Sequence, residues 1–166
     1  MSEAITDFGR ALKILTEGRV DFVLIGGVAA WLHGSARATV DLDLVYARDR
    51  ENLRRIAEAL APHHPYLRGA PPGLPFVFDE RTLRNGLNFT LSTDFGPLDL
   101  LGEVAGGGGY RDLLPVSDEI RAFGVQCRRV RLESLIQLKR AAGRPKDLEA
   151  IAELQALLEE RNKPDG

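Results

Sequence analysis

One cysteine, Cys127, is all that the 166 residues contain. That excludes an intramolecular disulfide and any zinc site built from several thiolates, and it fits a reducing compartment. An excess of basic charge is also missing. The formal net charge is −2 at pH 7, so no global positive field draws the chain to nucleic acid, and only a local patch could do so. No apolar run is long enough to span a bilayer. The opening residues, MSEAITDFGR, carry acidic groups and no apolar stretch of signal length. The expectation is a cytoplasmic protein without membrane contact. Three histidines support no Ser–His–Asp or Cys–His arrangement. The pair His63-His64 has no carboxylate or cysteine nearby in sequence, so it reads as a solvated loop rather than a metal site. Gly106–Gly109 are not followed by Gly-Lys-Ser/Thr, which excludes a phosphate-loop NTPase. They read as a flexible link. There is no internal repeat and no low-complexity segment.

What is present is ordinary in bulk and specific in one place. At 44% hydrophobic and 28% charged, the composition is that of a soluble globular protein. The length suits one domain, 1–166, with a sizeable core. The specific stretch is Asp21–Ala47, DFVLIGGVAAWLHGSARATVDLDLVYA. An apolar run ends at Ile25 and meets Gly26-Gly27. A short apolar segment, Val28–Leu32, closes at His33-Gly34. A second apolar run, Val40–Val45, carries Asp41 and Asp43. The layout predicts strand, tight turn, helix start, turn, strand.

Side chains alternate along a strand, so Asp41 and Asp43 share a face, with Cα atoms roughly 6–7 Å apart. Carboxylates that close repel unless a cation sits between them or one is protonated. Hard divalent ions such as Mg²⁺ take oxygen ligands and keep positions open for phosphate. A glycine pair at a helix start lets phosphate approach backbone N–H groups. The plainer reading is a solvent-facing edge strand beside an ordinary turn. Both halves together, with Arg37 and Thr39 between them, favour a phosphate cradle next to a metal site.

The rest of the chain predicts the body around this stretch. Ile5, Phe8, Leu12 and Leu15 give a helix over Ala4–Glu17, ended by Gly18. Leu53, Ile56, Ala57 and Leu60 give another over Arg48–Leu60. Ala61–Pro75 reads as a loop. Phe76–Phe78 and Leu87–Ser92 read as antiparallel strands joined by polar turn residues, Asp79–Gly86. Asp94–Gly96 turns into a short strand, Pro97–Leu101. Asp118–Gln126 and Arg128–Arg131 form a hairpin about Phe123-Gly124. Two helices close the chain: Leu132–Ala142, stopped by Gly143, and one from Pro145 to Arg161. Leu148, Ile151, Leu154 and Leu158 are its expected buried stripe. Lys163–Gly166 is expected to fray.

Two further residues stand out. Asp99 lies inside an apolar strand, where a charge is costly unless paired or metal-bound. Lys139 falls on the apolar stripe of Leu132, Leu135 and Ile136, so it needs an anion or must reach out to water. Arg37 suits a phosphate, or an ion pair with Asp41 or Asp43. Trp31 and His33 read as packing residues. Arg128, Arg129, Arg131, Arg140 and Arg144 could line an RNA-binding face, but a solvated face explains them as well.

Gly26-Gly27, Ala29, Gly34, Arg37, Thr39 and Asp41-Leu42-Asp43-Leu44 resemble the signature of the polymerase-beta-like nucleotidyltransferase superfamily. That signature is a glycine pair or Gly-Ser some ten to fifteen residues before a D-h-D strand. The variant is most similar to small bacterial nucleotidyltransferases grouped with type IV abortive-infection toxins and antibiotic nucleotidyltransferases. Position 27 is Gly rather than Ser, so this turn offers only backbone donors. Leu138–Asp147 resembles the C-terminal motif of the abortive-infection group.

The resemblance implies an α/β nucleotidyltransferase fold: a short mixed sheet flanked by helices, with a C-terminal helical pair. It implies transfer of NMP from an NTP, ATP included, to a hydroxyl. Asp41, Asp43 and Asp99 would be catalytic and would hold Mg²⁺ or Mn²⁺. Gly26, Gly27, Arg37, Thr39, Lys139 and Lys146 would bind the nucleotide, with Lys146 and Asp147 flanking it. The acceptor stays open between a tRNA, a protein and a small molecule. A toxin of a toxin–antitoxin pair, with a cognate antitoxin, is one role this allows. The competing class is a non-catalytic nucleotide-binding or interaction module on the same fold. Three clustered carboxylates argue against it, because a module without chemistry has no need of them.

Overall fold

The computed structural model describes residues 5–164. The last two residues of the expected frayed end, and Ala4 of the expected first helix, lie outside them. Helix α1 runs Phe8–Glu17 and is started by Asp7, whose carboxylate accepts from the Arg10 N–H. Ala11, Leu12 and Leu15 form its buried face. The helix is shorter than the apolar spacing implies, because a capping aspartate fixes the start more strongly than Ile5 can extend it. Ile5 is 67% exposed.

Strand β1 (Phe22–Ile25) leads directly into helix α2 (Gly26–Leu32), and β2 follows at Leu42–Tyr46. Helix α3 (Arg50–Leu60) is capped by Asp49. Next come a two-residue strand β3 (Tyr66–Leu67), helix α4 (Glu80–Asn85), and strands β4 (Phe89–Thr93) and β5 (Gly96–Leu101). A short helix α5 (Tyr110–Leu113) precedes the hairpin of β6 (Ser117–Ala122) and β7 (Val125–Val130). Helices α6 (Leu132–Ala142) and α7 (Pro145–Arg161) end the fold. Gly143 turns the chain between them in the left-handed region, at φ 66.

The strands form one mixed sheet in the order β3-β4-β5-β2-β1-β7-β6. β1 is antiparallel to β2 and parallel to β7, and β2 is parallel to β5. Both faces are covered. One side carries Leu12, Leu15, Leu53, Ile56 and Leu60; the other carries Ala29, Leu132, Leu135, Ile136, Ile151 and Leu154. Continuous burial along β1 follows from that double cover. This is the α/β architecture the sequence implies, with the C-terminal helical pair in place.

Five local expectations fail. Phe76–Phe78 is not a strand, and Asp79–Gly86 is not a bare turn. Asp79 caps α4 by accepting from the Thr82 N–H at 2.8 Å, so the acidic cluster was a helix start. β3 sits inside the expected loop. The four glycines form a tight turn rather than an open link, closed by Val104 and Gly108 and packed on α6. Leu148 is 62% exposed, and buried Asp147 takes the inner place beside it.

Buried Asn52 locks the start of β1 to the end of β2. Its Oδ1 accepts from the Asp21 N–H, and its Nδ2 donates to the carbonyls of Asp21 and Ala47. Asn52→Ala removes the side-chain partner of the Asp21 N–H and of the Ala47 carbonyl, while the Asp21 carbonyl keeps the Ala47 N–H. It should cost about 2–4 kcal/mol, the scale of two unsatisfied groups, read as a lower urea midpoint with an unchanged slope.

Candidate active site

Strand register converges three acids. Ile25 is the partner of Asp43 across β1 and β2, and Asp43 is the partner of Asp99 across the parallel pair β2 and β5. Asp41 lies one residue before β2, on the bend that enters it, and so outside the strand that the sequence suggested. One carboxylate oxygen from each of Asp41, Asp43 and Asp99 lies within 4.8 Å of the others. Gly26, at φ 67, presses so closely on the Asp43 carboxylate that any Cβ there would overlap it. The glycine is thus required by the acid as well as by the turn.

Asp43 bears the strain of this arrangement. Burial first, then the neighbouring Asp99 and Asp41, push its carboxyl up to about 8, against a pull from Lys139. Its Oδ1 is buried without a hydrogen-bond partner. Without a cation, Asp43 is thus biased toward its protonated form. An orphaned oxygen in an all-carboxylate donor set fits a hard divalent ion such as Mg²⁺ or Mn²⁺.

Two chambers meet at these acids. The first, about 330 Å³, is lined by Gly27, Arg37, Thr39, Lys139, Arg144 and Lys146 along with the three aspartates. The second, about 350 Å³, is lined by Gly26, Asn88, Glu103 and the apolar Ile25, Leu101, Val104 and Leu138, and it shares Asp43, Asp99, Lys139, Arg144 and Asp147 with the first. Every residue singled out in the sequence as catalytic or nucleotide-binding lines one chamber or both. Their settings differ from the expectation in detail. Arg37 pairs with Glu149 at 3.7 Å and Glu153 at 3.8 Å rather than with Asp41 or Asp43. The Thr39 hydroxyl stands where a side chain on residue 27 would begin, so the turn has a hydroxyl beside it although residue 27 supplies none. Lys139 finds its anion in Asp147, at 3.6 Å, and Asp147 is only 1% exposed. Burial works to raise the Asp147 carboxyl, but hydrogen bonds from Arg144 and the charge of Lys139 hold it below the ordinary value.

Sequence reasoning missed Arg68, whose Nη2 donates to Asp99 Oδ1 at 2.7 Å. Nothing in the local pattern marks an arginine that reaches the site from across the sheet. Trp31 packs as expected, but at the surface. Trp31 is 51% exposed and stacks on Phe123 at 5.6 Å. His33 is buried, with Nε2 2.8 Å from the Val130 carbonyl. His63 lies 3.0 Å from Asp94, in a pair remote from the three acids. Arg128 and Arg131 pair with Glu119 and Asp118, which accounts for much of the arginine face.

No family model and no curated protein matches the sequence. Solved structures do match the fold. The lincomycin-bound lincosamide antibiotic adenylyltransferase LnuA aligns at TM-score 0.60 and 14% identity, covering 93% of this chain and 99% of that one. The Thermotoga maritima protein TM1012, assigned as a nucleotidyltransferase, aligns at 0.54 and 16%, covering 96% and 98%. An antigenic nucleotidyltransferase-like protein from Paracoccidioides brasiliensis aligns at 0.53 and 16%, covering 92% and 78%. The chain has the nucleotidyltransferase fold. Among the described residues, no helix is long and apolar enough to cross a membrane.

The raised Asp43 has a thermodynamic consequence. The unfolded chain releases this proton near 3.8, and the folded protein holds it to about 8. Stability therefore falls as pH rises between those values and is flat above them. Asp43→Asn escapes this loss. In chelator-containing buffer, the variant should match wild type near pH 4. At pH 8 it should exceed wild type by at least about 1.4 kcal/mol, the equivalent of one pKa unit, as read by urea denaturation.

Proposed function

We propose that the chain is a metal-dependent nucleotidyltransferase that moves NMP from an NTP to the hydroxyl of a small-molecule acceptor. The observation that carries this reading is the meeting of three carboxylate oxygens within 4.8 Å where the two chambers join. In the reaction, the acceptor oxygen bonds to the α-phosphorus, the bond to the bridging oxygen breaks, and pyrophosphate leaves with that electron pair.

The first chamber suits the triphosphate. It places Arg37, Lys139, Arg144 and Lys146 around a space that also holds Asp41, Asp43, Asp99, Asp147 and Glu153. Once Asp43 is ionised, five acids stand against four bases and would repel a polyanion, so the site calls for a divalent ion. Asp41, Asp43 and Asp99 would hold Mg²⁺ or Mn²⁺, which when bound stabilises charge on the attacking and leaving oxygens. Lys139 is the natural point charge for a terminal phosphate. Asp147 holds both this amine and the Arg144 guanidinium in place. Gly27 and the Thr39 hydroxyl border the same space, and Gly26 leaves room at the Asp43 carboxylate.

The second chamber suits the acceptor. Its apolar wall of Ile25, Leu101, Val104 and Leu138, with Asn88 and Glu103 as polar groups, fits a molecule with both apolar and hydrogen-bonding parts. Asp99 lines both chambers and would take the hydroxyl proton. The likeness to LnuA, an antibiotic adenylyltransferase, supports a small acceptor. The pairing of Arg128 and Arg131 with acids weakens the case for tRNA. A tRNA or protein acceptor, with the toxin role and antitoxin partner that would accompany it, is the competing outcome of the same assay.

The test incubates the protein with each α-labelled NTP, Mg²⁺ or Mn²⁺, and three acceptor pools: hydroxyl-bearing antibiotics including lincosamides, total tRNA, and cell protein. Label should pass to a small molecule and be lost in Asp99→Ala, by at least about a hundredfold if Asp99 supplies general-base catalysis. Transfer only to tRNA or protein would overturn the acceptor assignment. Nucleotide binding with no transfer to any pool would replace the enzyme with a binding module.

A further inference from the structure

Arg68 brings a positive charge into the acidic centre from the far edge of the sheet. It follows β3 directly, and its backbone N–H donates to the Thr90 carbonyl at 2.9 Å, extending the pairing with β4. The side chain then crosses β4. Nε and Nη2 donate to the Leu91 carbonyl at 3.2 and 2.8 Å, and Nη2 also meets Asp99 Oδ1 at 2.7 Å. Nη1 lies 3.9 Å from Asp41 Oδ2. The guanidinium therefore covers the Asp99 and Asp41 side of the triad. The buried oxygen of the triad left without a hydrogen-bond partner is Asp43 Oδ1.

We propose that Arg68 is a built-in cation of the acidic centre that competes with divalent metal for Asp99 and Asp41. The free protein then takes a single divalent ion, at the Asp43 side, and a second ion reaches Asp99 only when the guanidinium gives way. Two features favour this over a purely structural role. The Leu91 carbonyl anchors the guanidinium independently of Asp99, so the side chain keeps a partner when it yields the carboxylate. A guanidinium also cannot be deprotonated in a protein, so its charge opposes a metal ion at every accessible pH. The proposal rests on the reading of the triad as a metal site.

The test is Mn²⁺ titration by calorimetry without nucleotide, on wild type, Arg68→Gln, Arg68→Lys and Asp43→Asn. Wild type should bind one ion. Arg68→Gln should bind at least about tenfold more tightly, a 1.4 kcal/mol difference, or take a second ion. Arg68→Lys, which keeps the charge, should resemble wild type. Equal Mn²⁺ binding by wild type and Arg68→Gln, with Asp43→Asn impaired, would overturn the role of Arg68 and leave the metal site standing. No Mn²⁺ bound by any of the four would overturn both. Should Arg68→Gln fail to fold, wild type still decides. One arginine Nε–H signal, absent from Arg68→Lys, should shift as diamagnetic Mg²⁺ is added, and an unmoved signal would overturn the proposal.

Discussion

Mutual repulsion among Asp41, Asp43 and Asp99 is the constraint on which the rest of the site depends. Three carboxylates with oxygens within 4.8 Å of one another cannot all ionise in a half-buried place without a cation. Strand pairing forces them together all the same: Asp43 is fixed opposite Asp99 by a ladder that also pairs Leu42, Leu44 and Val45 with apolar partners on β5. A one-residue slip would separate the acids, but it would also turn those buried side chains to the wrong face. The hydrophobic core thus holds in place a cluster that electrostatics alone would disperse.

The neighbourhood is arranged around that cluster. Arg68 comes from the sheet edge to meet Asp99. Gly26 has no Cβ because the Asp43 carboxylate takes the space, and Gly27 has none because Thr39 does. Across the cleft, Asp147 ties Lys139 and Arg144 into one unit at the junction of α6 and α7. That unit gives the two C-terminal helices a direct part in the site. Their packing against α2 and the sheet sets where the cations point. A change in helix packing would therefore reach the acids through charge as well as through shape.

Much of this was legible in the sequence, for reasons that differ by residue. Asp41 and Asp43 were legible because alternation along a strand is strict and charges in an apolar run are costly. Lys139 was legible for the same reason on a helix. The last two helices were legible because Gly143 and Pro145 punctuate them. Arg68 was not, since its partners lie 23 and 31 positions away and nothing local marks a long-range ion pair. Asp147 was expected beside the nucleotide by resemblance, but nothing local marked it as buried. Its burial depends on Lys139 and Arg144 arriving from the preceding helix and turn. The Phe76–Phe78 stretch was misread because alternating aromatics suggest a strand, while the Asp79 cap that starts α4 is a single-residue signal. Trp31 was legible as a packing residue, but its place at the surface, stacked on Phe123, was not.

If the triad exists to bind metal-loaded nucleotide, relieving its repulsion should stabilise the whole fold. A ligand that binds only the folded state at a hundredfold excess over its Kd adds about 2.7 kcal/mol. For a chain of this size that is a rise of several degrees in Tm. Thermal melting with NTP alone, Mg²⁺ alone and both together, in wild type and Asp43→Asn, measures this. The large shift should appear only with both together and only in wild type. An equal shift in Asp43→Asn would contradict the assignment of the three aspartates as the metal-nucleotide site.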